Sequence, residues 1–241
     1  ITDANNGVIS LDQLAVDGLT TLQTHGTGNA TVVNDVGVRF NNTQVGGNLS
    51  TTATTGNITH ASAVVVGGTS SFTTSASNAR IGLEGFANTL TGAVTLNTNG
   101  SGRADLDNGT TALILAASTI GGNLTVTSGN TSGITDNGTL TVGGNLSAIT
   151  DANNGVISLD QLAVDGTVAL TTNGSGNATV VNDAALNLAA STVGGALSAT
   201  ATTGNMSDSG NVTVAGTSSF TTSANNATIV LNNTNALTGA V

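Results

Sequence analysis

Cysteine, proline, tryptophan, tyrosine and lysine are all absent from this 241-residue chain, and phenylalanine occurs only four times. The lack of cysteine removes disulfides, thiolate metal sites and thiol nucleophiles, and is compatible with an extracellular bacterial protein that avoids thiol chemistry. Basic residues are scarce: Arg39, Arg80 and Arg103 stand against 13 acids, for a net charge of −10. That balance excludes the basic stripe that nucleic acid requires and argues against an anionic membrane surface. No long apolar run exists either. The longest, Ala112 to Ala117, is far too short to span a bilayer. Helical stripes and runs of Glu, Lys, Gln and Arg are also missing, so almost no helix is expected.

What fills the chain is Gly, Asn, Thr, Ser, Ala, Val and Leu. With 38% hydrophobic residues it is too apolar for a disordered polar tract. Its aliphatics alternate with polar residues, as in Thr139-Leu140-Thr141-Val142, which is a strand signal.

The arrangement is repetitive. The 18-residue string Ile1 to Gly18 returns unchanged at Ile149 to Gly166, 148 positions later (149 − 1). Gly28 to Asp35 returns at Gly176 to Asp183, Gly68 to Ala76 at Gly216 to Ala224, and Leu90 to Val94 at Leu237 to Val241. Self-similarity of this kind marks a repeat array in which each unit packs mainly on its neighbours. Glycine corners such as Val45-Gly46-Gly47, Val66-Gly67-Gly68 and Ile120-Gly121-Gly122 punctuate the chain. Their intervals run long, short, medium, and each trio sums to about 74 residues, half of the 148-residue block. The spacing predicts turns of roughly 21–29 residues, three to a superrepeat.

Each turn divides into three strand-like pieces separated by Gly, Asn, Ser and Asp, residues that tolerate positive φ and tight corners. One turn reads Asn123 to Thr127, Gly133 to Asn137 and Thr139 to Val142. The expectation is an all-β parallel β-helix, three strands per turn. It forms a single continuous segment over residues 1–241, with inward apolar residues such as Leu124 and Val126. Both termini fall inside a repeat, as expected of a piece of a longer array.

The strings IGGNLTVTSGN from Ile120, VGGNL from Val142 and GTSSFTTSANNATIVLNN from Gly216 resemble the repeat region of filamentous-haemagglutinin-like adhesins. These are long surface proteins of Gram-negative bacteria exported by two-partner secretion or as autotransporters. The resemblance spans essentially the whole chain and rests on structural motifs. It implies a right-handed β-helix, a location outside the cell or on its surface, and a role in adhesion or surface fibres. Its partners would be another copy of the chain, or host or surface glycans and proteins.

Candidate sites are few. His25 and His60 align with Asn173 and Asp208 one block later, and Arg80 and Glu84 with Thr228 and Asn232. All four read as variable surface positions. Asp35, Asp105, Asp107 and Asp183 occupy similar places on long turns, too far apart for one calcium ion with bonds of about 2.3–2.6 Å. Asp136 and Asp160, on neighbouring turns, come closer. Glycosidase or lyase chemistry needs clustered carboxylates, and no Ser has a His and Asp to activate it. The reading is therefore non-catalytic, with no catalytic, cofactor or metal residues assigned. Asn-x-Ser/Thr triplets at Asn29, Asn48, Asn123 and Asn177 are potential glycan acceptors. The Thr arrays at Thr51 to Thr55 and Thr200 to Thr203 raise an ice-binding reading. The expected role is a shaft segment, with a glycan-, calcium- or ice-binding face as the alternative.

Overall fold

Alternation of apolar and polar residues in short pieces places every second side chain on one face, and a ring of such pieces closes around its own apolar side. The computed structural model describes residues 1–3 and 5–241. Among them the chain forms thirty strands and no helix. Every strand pairing is parallel, joining a strand to its counterpart one coil away. The protein is a parallel β-solenoid of about 11 coils, three strands to a coil and about 21 residues per coil. At about 4.7–4.9 Å between paired strands, the stack is about 50 Å long.

The coil is shorter than the average glycine interval, for a reason that changes the architecture. Cα partners run from Ile9 to Ala30, Leu49, Ser70 and Val94. They continue to Leu115, Asp136 and the strand Ile157–Val164. That strand is the copy, one block later, of Ile9–Leu14, so the block holds seven coils. A superrepeat, half of the block, is therefore three and a half coils, where the glycine corners had suggested three. The long glycine interval crosses between corners: Gly92 stacks on Gly68, whereas Gly121 stacks on Gly100.

Half a coil of offset puts equivalent sequences on different faces. Ala30–Asn34 lies in a 13-stranded sheet, Ala104–Asp107 in a 14-stranded sheet, and Ala178–Asn182 back in the first. Leu49–Ala53, Leu124–Ser128 and Leu197–Ala201 alternate in the same way. The third side of each coil moves accordingly. It forms a separate three-stranded sheet at Thr43–Val45, Val64–Val66 and Thr89–Leu90. Later it joins the 13-stranded sheet at Ser118–Ile120, and then the 14-stranded one at Ser191–Val193.

The core is the continuous stack of inward aliphatics. Leu124, Val126, Leu146, Ala148, Val168 and Leu170 are all buried, and in-register pairing sets them one above another. Phe40 and Phe72 add an edge-to-face pair with centroids 6.2 Å apart, a favoured aromatic arrangement. At the corners, close approach of coils selects glycine. Gly122 N–H donates to Gly102 O at 2.8 Å, and Gly144 N–H to Gly122 O at 3.0 Å. A Cβ on Gly121 would collide with the carbonyl oxygen of Gly100. The coil beneath such a corner needs left-handed backbone, supplied at Gly26, Gly100 and Gly174, on which Gly46, Gly121 and Gly194 stack, with φ of 62 to 64°.

Two outcomes follow for stability. Val126→Asp places a carboxylate among aliphatics with no partner and is expected to cost about 3–5 kcal/mol. Thr141→Asp, on the exposed face of the same stack, should stay within about 0.5 kcal/mol. Gly121→Ala should cost about 1–3 kcal/mol by forcing coils apart. Chemical denaturation of the three variants measures all of them.

Candidate functional site

The polar residues closest to the core are asparagines. Asn34, Asn108 and Asn182 stand one superrepeat apart and are buried. Asn108 accepts from Leu90 N–H at 2.8 Å and donates Nδ2 to the carbonyls of Leu90, Thr111 and Ala112. Asn182 does the same for Val164 and Ala185, and Asn34 for Val16 and Gly37. Each amide closes a corner and ties it to the coil below, satisfying backbone groups that burial would otherwise leave unpaired.

A second set of asparagines stacks along the outer corners. Asn29 Oδ1 accepts from Asn48 N–H and Asn48 Oδ1 from Thr69 N–H. Asn123 Oδ1 accepts from Asn145 N–H, Asn145 Oδ1 from Thr167 N–H, and Asn177 Oδ1 from Ala196 N–H. The four Asn-x-Ser/Thr triplets singled out in the sequence thus begin on ladder residues. Their Asn has a structural cause independent of any glycan.

The histidines part company. His25 is exposed, its Nδ1 2.6 Å from Thr2 O. His60 is half-buried rather than solvent-facing, although the residue at its position does change between superrepeats. Its Nε2 accepts from Gly85 N–H at 3.3 Å, and its ring packs edge-on against Phe86 at 5.2 Å. Asp136 and Asp208 occupy the same position in the next two superrepeats. Asp136 accepts from Asp160 and Gln161 N–H at 3.2 and 2.9 Å. Asp208 accepts from Asn232 and Asn233 N–H and from Asn235 Nδ2. The position requires an acceptor for the backbone of the coil above, and His, Asp and Asp each supply one. Asp136 and Asp160 therefore do meet, but through a backbone N–H.

Titration follows from these surroundings. Burial pushes the His60 pKa below 6.5 and the Asp136 carboxyl above 3.8. Burial also acts to raise Asp208, but hydrogen bonds from Asn235, Asn232 and Asn233 outweigh it and hold this carboxyl below 3.8.

The remaining acids do not converge. Asp35 and Asp183 are exposed, and their carbonyls accept from Thr55 and Thr203 Oγ1. Asp107 Oδ1 accepts from Gly109 N–H at 2.8 Å. No group of three His, Asp or Glu side chains comes together among the described residues. Thr51 points inward and is buried, so the Thr51 to Thr55 array is not a flat outward row.

Charge does gather in one place. Asp105 Oδ2 lies 3.0 Å from both Arg80 Nε and Arg103 Nε, and Arg80 also pairs with Glu84. Along the chain Arg80 and Glu84 look like isolated surface charges. The single coil that separates Arg80 from Arg103 brings them into one network. Exposed pairs of this kind add little stability.

The family described as Repeats of unknown function (DUF5649) matches residues 27–97, 101–173 and 175–241. The chain belongs to that family. The three matches begin at evenly spaced positions, one superrepeat apart. Neither a curated protein nor a solved structure matches this chain.

Two measurements check the corner chemistry. Asn108→Ala removes the amide from Leu90 N–H and from the Leu90 and Ala112 carbonyls, while Thr111 O keeps Ser128 Oγ, and should destabilise by about 2–4 kcal/mol. A lowered histidine pKa means that the unfolded chain takes up its proton first. His60 thus contributes stability that is intact above pH 6.5 and lost as pH falls through that value towards its folded pKa. Hydrogen exchange, corrected for intrinsic rates, should show protection near Gly85 dropping as pH falls through and below 6.5. His60→Asn should abolish that drop.

Proposed function

We propose that this segment is a non-catalytic shaft of a bacterial surface adhesin or extracellular fibre, of the filamentous-haemagglutinin-like kind that its repeat strings resemble. The observation that carries this reading is the way in which chain becomes length. Coil stacks on coil in register from Ile9 to Ser218, and each added coil extends the stack by about 4.8 Å. Glycine corners, corner asparagines and inward aliphatics recur in each superrepeat, whereas most charged positions change between them. That pattern suits a scaffold whose task is reach and rigidity. An extracellular setting on a Gram-negative cell, with other copies of the chain or surface glycans and proteins as partners, belongs to the same proposal. The lack of cysteine is consistent with it.

Immunogold electron microscopy of native cells, with antibody raised against this segment, tests the role. Label along thin fibres leaving the cell is the expected result. Label confined to the cytoplasm would overturn it. Small-angle scattering from the purified segment should in parallel give a rod about 50 Å long with a cross-section set by one coil.

A further inference from the structure

The Arg80–Arg103 network lies beside an open groove of about 670 Å³, whose rim is formed by Asn57, Asn78, Ser101 and Asn123 as well as the two arginines. Its hydrogen-bonding capacity is one-sided. Asn57 Oδ1 is used by Arg80 N–H, and Asn78 Oδ1 by both Ser101 N–H and Ser101 Oγ. Asn123 Oδ1 is used by Asn145 N–H. These bonds fix the orientation of each amide and leave its Nδ2 donors towards solvent.

The backbone adds two more donors. Along this corner the residues stack as Asn57, Arg80, Arg103, Asn123 and Asn145. Wherever the residue below is Asn, its Oδ1 takes the N–H above, as at Arg80 and Asn145. Arginine offers no acceptor. The N–H groups of Arg103 and Asn123 are consequently without one among the described residues. Arg103 uses only Nε on Asp105, its side chain is 56% exposed, and its two Nη groups have no acceptor among the described residues.

Three of the four charged residues depart from the repeat together, and the fourth, Glu84, keeps an acid that one other superrepeat also carries. Arg103 replaces the ladder residue found at Asn29 and Asn177, and Asp105 replaces Thr31 and Thr179. Arg80 stands where Val156 and Thr228 do, and Glu84 where Asp160 and Asn232 do. The carboxylates of Asp105 and Glu84 engage the arginines, which orients the guanidinium groups and leaves the free Nη edge of Arg103 exposed. A neutral ion-pair cluster would not by itself hold an anion. Here a guanidinium edge, two backbone N–H groups and three amide Nδ2 groups share a groove that runs along the stack.

We propose that this groove binds the carboxylates of an acidic polysaccharide, a uronic-acid oligomer lying along the solenoid axis. Guanidinium and backbone N–H donors recognise carboxylates with charge-assisted hydrogen bonds. The amide donors suit the hydroxyl and ring oxygens between them. The chemistry is independent of the shaft reading and can fail or succeed without it.

Calorimetric titration of the 241-residue chain with oligogalacturonate, dextran sulfate and neutral dextran tests the proposal. Oligogalacturonate should bind saturably, and more weakly as salt rises. Arg103→Asn installs the residue that the repeat carries elsewhere. It should weaken binding about tenfold while the melting temperature holds or rises, because the new Oδ1 can accept from Asn123 N–H. Arg80→Val, the residue found at Val156, should weaken it too, and serves if the first variant folds poorly. Equal and Arg103-dependent binding of dextran sulfate would extend the recognised chemistry from carboxylates to oxyanions at large. Three results would overturn the assignment: no binding of either acidic polymer at millimolar concentration, equal binding of neutral dextran, or an Arg103→Asn variant that binds unchanged.

Discussion

Parallel stacking of coils at about 4.8 Å is the constraint on which everything else in this molecule depends. A coil of three short strands cannot bury its own apolar side, so each is stable only with a neighbour above and below. Placing like on like at that distance restricts what each position can hold. Inward positions take small aliphatics that nest in columns. Tight corners take glycine, since a Cβ at Gly121 or Gly194 would meet the carbonyl oxygen of the coil beneath. Corners with a spare backbone N–H take asparagine, whose amide reaches one coil up.

The same constraint explains the buried polar residues. Asn34, Asn108 and Asn182 sit inside the wall because the chain turns there, and a turn leaves carbonyl and N–H groups that no strand can pair. One amide satisfies up to four of them. The acceptor position shared by His60, Asp136 and Asp208 answers a similar need with whatever acceptor the superrepeat supplies. Its residues therefore differ chemically, while each accepts from backbone N–H of the coil above.

Much of this was legible in the sequence. Alternation at Leu124 to Thr127 indicates the correct inward face, and the exact second copy of Ile1 to Gly18 announces a repeat array. The coil count was less accessible. Glycine corners mark only the approaches to the longer strands, and with three such approaches in every superrepeat they conceal the extra half coil. The Arg80–Asp105–Arg103 network was hidden for the same reason, since it depends on which residues lie one coil apart.

That half coil is what makes the architecture unlike a simple column of repeats, because it returns each sequence element to the same face only every second superrepeat. Outward chemistry repeated along the chain is thus shared between two faces, and local departures from the repeat, rather than the repeat itself, can give one face a character of its own. Disulfide trapping tests the offset most directly in a chain with no native cysteine. Asn97 and Thr119 are Cα partners across a superrepeat junction, within the separation a disulfide spans. The pair Asn97→Cys and Thr119→Cys should therefore cross-link readily under mild oxidation, and the pair Asn97→Cys and Thr127→Cys, which would face each other if the Gly122 corner stacked on Gly92, should not. Cross-linking of the second pair in preference to the first would mean three coils per superrepeat and would contradict the account.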